Sequence, residues 1–175
     1  MSADKPAKVL LVNDRKEGLL LEQMLQPVGC PLIQAPCGED ALKAALREDI
    51  AAILLDVSMP GMDGLQVAGY IQSLEQTRHI PILLITAVGR DLDCAWRAFA
   101  TGVVDFLFKP LDPFELRRKV EFLLTCHLRD RALRQRVVEL EGACDAARHT
   151  IDQLSQRLAD LENDASSAVE PRGSR

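Results

Sequence analysis

The chain has 175 residues, 47% of them hydrophobic and 27% charged, with a formal net charge of -5. That balance excludes global disorder, and the acidic excess argues against a nucleic-acid surface, which needs a clear basic surplus. No apolar run approaches the roughly 18 residues needed to cross a bilayer, and the N-terminal MSADKPAK lacks the apolar segment of a signal peptide, so the expected location is the cytoplasm, without membrane insertion.

The first apolar run, Val9–Val12, reads as a buried strand and is followed at once by an amide and a carboxylate, Asn13 and Asp14. Helical spacing then covers Glu17–Gln26, and Gly29 and Pro31 break the chain before a second run, Leu32–Ala35. A helix over Glu39–Arg47 leads to a third strand, Ala51–Leu55, which ends at Asp56 ahead of the turn-rich PGMDG. The pattern repeats with a helix over Leu65–Leu74, Pro81, and a fourth strand, Ile82–Ile85, ending at Thr86. A helix over Leu92–Ala100, closed by Gly102, precedes the fifth strand, Val104–Phe108, which ends at Lys109-Pro110. Short apolar runs alternating with crossover helices predict an α/β fold: a doubly wound, five-stranded parallel sheet of order 2-1-3-4-5.

After Pro113 the character changes. From Phe114 to about Glu162 there is no proline and one glycine, Gly142. Leu133, Val137, Leu140, Cys144, Ala147, Ile151, Leu154, Leu158 and Leu161 are spaced 4-3-4-3, a coiled-coil pattern. Val137 and Ile151 fall at a positions, and Leu140, Leu154 and Leu161 at d, a choice that favours a parallel pair of helices. Arg136 and Arg157 at g can meet Glu141 and Glu162 at e of a partner. The expected organisation is an α/β domain over 7–125, a dimerising coiled-coil helix over 126–162 that makes a parallel homodimer, and a disordered tail over 163–175. The five cysteines, Cys30, Cys37, Cys94, Cys126 and Cys144, form no metal-binding or C-x-x-C pattern and read as reduced thiols. His79, His127 and His149 stand apart from one another and read as surface residues.

In an open parallel sheet, ligands bind outside the carboxyl ends of the strands. Four of the five expected strand ends carry Asp14, Asp56, Thr86 and Lys109. Two carboxylates suit a hard divalent cation such as Mg²⁺, and a carboxylate can also attack phosphorus to give an aspartyl phosphate. A metal, an ammonium and a hydroxyl are the groups that neutralise a phosphoryl in flight. Each residue also has a plainer role open to it: Asp14 is a good helix N-cap, and Phe106 suits a strand core.

The ordered segments LLVND, LLDVSMPGMDG, ITA and GVVDFLFKP resemble the receiver domains of two-component response regulators over roughly residues 7–125. The resemblance implies that Asp56 accepts a phosphoryl group from a sensor histidine kinase or histidine phosphotransfer protein. It also implies that Mg²⁺ is held by Asp14, Asp56 and the Ser58 backbone carbonyl, with Asn13 acting through water. Thr86 and Lys109 would contact the phosphoryl group, Phe106 would change rotamer with Thr86, and Lys109-Pro110 would be cis. Asn13 departs from the family, where an acid is common; its amide oxygen can still accept from a metal-bound water, but one negative charge is lost. Weaker Mg²⁺ binding with phosphorylation retained is the expectation. The chain reads as a switch and not an enzyme, signalling through its dimer to a partner or to an output domain outside this sequence. The alternative is a dimeric scaffold that works without phosphorylation. A phosphatase is disfavoured because Ser58 stands where a second acid would protonate a leaving group.

Overall fold

The structure, a computed structural model, describes residues 6–59, 61–87 and 102–168. Five strands, β1 (Lys8–Val12), β2 (Leu32–Ala35), β3 (Ile50–Asp56), β4 (Ile82–Ala87) and β5 (Val103–Lys109), form one sheet. All neighbours are parallel and the order is β2-β1-β3-β4-β5, as the alternation of apolar runs and helical stretches requires. The described helices are α1 (Arg15–Leu25), α2 (Gly38–Arg47), α3 (Gly64–Ser73) and α4 (Pro113–Ala168), with a 3₁₀ turn at Gln26–Val28 after α1. The helix expected over Leu92–Ala100 lies outside the described residues.

Successive strand side chains point to opposite faces, and the sheet has a core on each. Leu10 and Val12 of β1 join Ile53, Leu55, Ile82 and Leu84 on the face covered by α2 and α3, where Ala41, Val67 and Ile71 are buried. Val9 and Leu11 join Leu54, Leu83, Ile85 and Leu107 on the other, against Leu21 and Leu25 of α1 and Leu116 and Val120 of α4. Each fully buried leucine or isoleucine is worth about 1.5–3 kcal/mol relative to exposure, so both faces drive the same topology. All seven residues of β3 are buried, which explains why the central strand reads as an unbroken apolar run.

Local chemistry sets the boundaries. Asp14 caps α1, its Oδ1 accepting from the Lys16 and Glu17 amides at 2.9 Å each, so the helix starts two residues earlier than its apolar spacing suggests. Asp63 and Gln66 form a capping box on α3. Gly29 has φ 70°, a left-handed conformation that lets the chain leave the 3₁₀ turn for β2. Arg117 Nε donates to the Met24 carbonyl at 2.6 Å, satisfying a carbonyl in the last turn of α1 with a cation. His127, expected on the surface, is instead largely enclosed and pairs with Asp49 at 3.1 Å. The sequence pattern missed it because its partner is a loop acid far along the chain.

The chain divides into two compact units between Arg129 and Asp130. In the second, helical unit the 4-3 stripe is bare: Leu133, Val137, Leu140, Ile151, Leu154, Leu158 and Leu161 are each more than half exposed. Among the described residues, no helix is long and apolar enough to cross a membrane.

Candidate functional site

The site forms where β1, β3, β4 and β5 end. Asp56 is the last residue of β3, and Cα pairing sets it beside Ile85 of β4, one residue before Thr86. Lys109 ends β5 opposite Ala87, and its peptide bond to Pro110 is cis, as the family resemblance implies. Val12 pairs with Leu55, so the next residues, Asn13 and Asp56, are neighbours across the β1–β3 edge. Parallel pairing thus brings together groups from four distant segments without any side chain having to reach far.

Asp56 is 4% exposed. Its Oδ1 accepts from the Ser58 amide at 2.8 Å, and its Oδ2 from the Lys109 ammonium at 2.8 Å. Lys109 also donates to both carboxylate oxygens of Glu17, at 2.7 Å each. One ammonium therefore serves two carboxylates. Burial pushes the Asp56 carboxyl up, but the hydrogen bonds from Glu17, Lys109 and the Ser58 amide outweigh it and hold the group below its ordinary value. The hydrogen bond shared with Asp56, followed by burial, raises Glu17 despite the pull of Lys109. Burial lowers Lys109, and its two carboxylate partners more than reverse that.

Thr86 is 7% exposed at the end of β4, and Phe106 is half-buried in β5 against the α2–α3 core. Asn13 is 3% exposed, and its Nδ2 is a buried donor without a hydrogen-bond partner. The structure therefore gathers Asn13, Asp56, Thr86 and Lys109 at the strand ends. It places Asp14 just beyond them as the exposed cap of α1, so the plainer role does operate for that residue.

Glu17 is the residue that sequence reasoning passed over. It stands three positions after the N-cap Asp14, the spacing of a capping box, in which such an acid turns back to its own helix end. Here the carboxylate instead reaches Lys109, 92 positions away in the chain. A cavity of about 250 Å³ adjoins the pair, lined by Leu20, Leu21, Met24, Ile85 and Pro110 among others.

The donor set suits a hard divalent cation in kind. Asp14 and Asp56 retain carboxylate lone pairs beyond those used in their hydrogen bonds, and the Ser58 carbonyl follows on the same loop. Among the described residues no group of three acids, histidines or cysteines converges. The orphaned Asn13 amide marks the same end of β1 as a place where a polar ligand or water belongs.

A parallel sheet of this order, with an acid at the end of the middle strand bonded to a lysine at the end of the last, is a receiver-type α/β fold. Residues 9–121 match the response regulator receiver domain, and the chain belongs to that family, the receiver domains of two-component response regulators. It is 39% identical over 131 residues to the response regulator PleD of Caulobacter vibrioides, covering 74% of this chain and 29% of that one. It is 33% identical over 154 residues to the cyclic di-GMP phosphodiesterase response regulator RpfG of Xanthomonas campestris, covering 86% of this chain and 40% of that one. The chain thus spans less than half the length of these curated relatives. Among solved structures, the receiver domain of the sensor histidine kinase PA1611 from Pseudomonas aeruginosa, which holds a magnesium ion in its active-site cleft, is 29% identical with a TM-score of 0.62, covering 69% of this chain and 98% of that one. The chemotaxis protein CheY4 of Vibrio cholerae is 27% identical with the same TM-score of 0.62, covering 67% and 98%.

Proposed function

We propose that Asp56 is the phosphoacceptor of this receiver domain, taking a phosphoryl group from a sensor histidine kinase or histidine phosphotransfer protein, and that the chain works as a switch in the cytoplasm. The observation that carries this reading is the Asp56 carboxylate: buried, held anionic, and bonded at 2.8 Å to a lysine from the last strand. A carboxylate oxygen attacks phosphorus, and the donor's bond to phosphorus breaks with its electron pair leaving on the donor. Lys109 then follows the charge onto a phosphoryl oxygen, and the Thr86 hydroxyl, one residue beyond the β4 position paired with Asp56, is sited to donate to another. Asp14, Asp56 and the Ser58 carbonyl are the residues that would hold Mg²⁺, with Asn13 acting through water. When bound, the metal would supply positive charge that offsets the phosphoryl oxygens. Phe106, half-buried beside this edge, is the candidate to repack when Thr86 moves.

The bare 4-3 stripe supports a parallel homodimer through 126–162, because exposed leucines at this spacing gain burial from a second copy of the helix. In this reading 7–125 is the receiver, the helix beyond it the dimerising segment, and the output a partner or a further domain. The enzymatic activity in the printed name of RpfG belongs to that longer protein; this chain is proposed as a switch with no catalytic output of its own.

Incubation with acetyl phosphate and Mg²⁺ followed by intact-mass measurement tests the proposal. Wild type is expected to gain one phosphoryl group and Asp56→Ala none. Absence of the adduct in wild type would favour the phosphorylation-independent scaffold, for which Asn13 is the supporting residue.

A further inference from the structure

The two carboxylates on Lys109 have different consequences for the reaction. Resting on the reading of Asp56 as phosphoacceptor, we infer that Glu17 is an internal competitor for the phosphoryl group: its carboxylate occupies Lys109 in the unmodified protein and must be displaced before the lysine can stabilise a phosphoryl on Asp56. The ammonium has three donors, and all three are committed, two at 2.7 Å to Glu17 and one at 2.8 Å to Asp56. Lys109 is 28% exposed and Glu17 40%, so the pair is shielded enough to matter and open enough to exchange.

Phosphorylation makes the competition sharper. Joining phosphorus to an Asp56 oxygen converts a monoanion into a dianionic phosphoryl group, while the donor leaves with the electron pair of its broken bond. The new charge arises beside Glu17, which shares the Lys109 ammonium with Asp56. Like charges at this range repel, and a single ammonium cannot keep both anions at hydrogen-bond distance with two bonds to one of them. Glu17 must swing away, toward solvent or toward the apolar cavity lined by Leu20, Met24 and Ile85, and only solvent welcomes a carboxylate. Glu17 is therefore a positioning residue that acts through Lys109. It holds the unphosphorylated state closed and sets a threshold for the donor.

The test uses the full chain with acetyl phosphate as donor, in which the phosphorus–acyl oxygen bond breaks and acetate leaves. Glu17→Gln keeps the side-chain shape and removes the charge; Glu17→Ala removes both. Each should form the Asp56 adduct faster than wild type, on the order of tenfold, the range for a charged hydrogen bond discounted for partial exposure. A merely structural role predicts slower adduct formation in both variants. A second readout needs neither metal nor donor: with chelator present and a limiting amine-reactive ester, Lys109 should label faster in both variants, read by peptide mass. Equal or slower adduct formation in the variants, with an adduct present in wild type, overturns the inference alone. Loss of any Asp56 adduct in all three proteins overturns the phosphoacceptor reading with it.

Discussion

Removing Lys109 exposes how much of the site's stability is electrostatic. In Lys109→Met the apolar stem is retained, while Asp56 and Glu17 are left facing each other without their shared cation. The gross attraction between unit charges 2.8 Å apart is about 6 kcal/mol at an effective dielectric of 20, most of it offset by the desolvation of Asp56. A charged hydrogen bond retains about 1.5–3 kcal/mol net, and the more exposed Glu17 contact adds at most about 1. The expected loss is therefore roughly 3 kcal/mol at about pH 7, a large share of the roughly 5–15 kcal/mol typical of a folded domain.

The pH dependence identifies the cause. In the native protein Asp56 is lowered, so its contribution is present above its unfolded value of 3.8 and fades as pH falls through its folded value. Glu17 is raised from 4.5, so its penalty is present at neutral pH and is relieved as pH falls through the folded value. Without Lys109 both carboxyls move up, the variant binds protons more readily folded than unfolded, and its deficit should shrink between about pH 7 and about pH 5. Urea denaturation followed by circular dichroism, at one protein concentration for both proteins, measures this. A deficit of equal size at both pH values would refute the electrostatic account and leave packing as the explanation.

Five further outcomes follow from particular positions. Gly64→Ala should cost about 1–3 kcal/mol and abolish the Asp56 adduct, because the added Cβ would lie 2.3 Å from the Asp56 carbonyl oxygen; Gly69→Ala, with open space at that point of α3, should stabilise by about 0.5–1 kcal/mol, both read by denaturation. Thr77→Val should lose about 1–2 kcal/mol in the same assay, since the buried Thr77 hydroxyl donates to the Ile71 carbonyl at 2.7 Å at the end of α3. On the proposed homodimer, wild type should sediment as a dimer and Leu154→Lys as a monomer at the same concentration, because the lysine sets like charges against each other in the stripe. Asn13→Asp should bind Mg²⁺ more tightly than wild type in calorimetry, and unchanged affinity would refute the weakening expected of the amide.

The sheet was legible because burial on both faces of a strand leaves so little freedom in composition. The apolar runs located all five strands to within a residue or two, and the breakers between them left a single parallel order. Asp56, Thr86 and Lys109 could be aligned at one edge because strand ends are fixed by the same pattern. Contacts between loops and helices were not legible in this way. His127 pairs with Asp49 and Arg117 with the Met24 carbonyl, and nothing in the periodicity of either segment signals those partners. Glu17 was hidden for a subtler reason. Its position satisfies a local rule, an acid in the first turn of a helix, so no anomaly pointed to its distant use.

Asn13 and Glu17 make sense together as a rearrangement of charge. An acid at position 13 would sit at a buried strand end, neighbouring Asp56, in a site that already sets two carboxylates on one ammonium. Three carboxylates around Lys109 could not all stay ionised without a bound metal, because each added anion raises the others. The amide avoids that crowding, and its buried Nδ2 has no hydrogen-bond partner among the protein's own atoms. Glu17 restores a negative charge on the other side of the lysine, half in solvent, where the charge is cheaper to hold and free to leave. In this arrangement one ammonium faces two carboxylates, so the resting cluster keeps a net negative charge that a divalent cation would offset, and on the proposed reading the side chain that occupies the lysine is the one pushed off it when the phosphoryl group arrives.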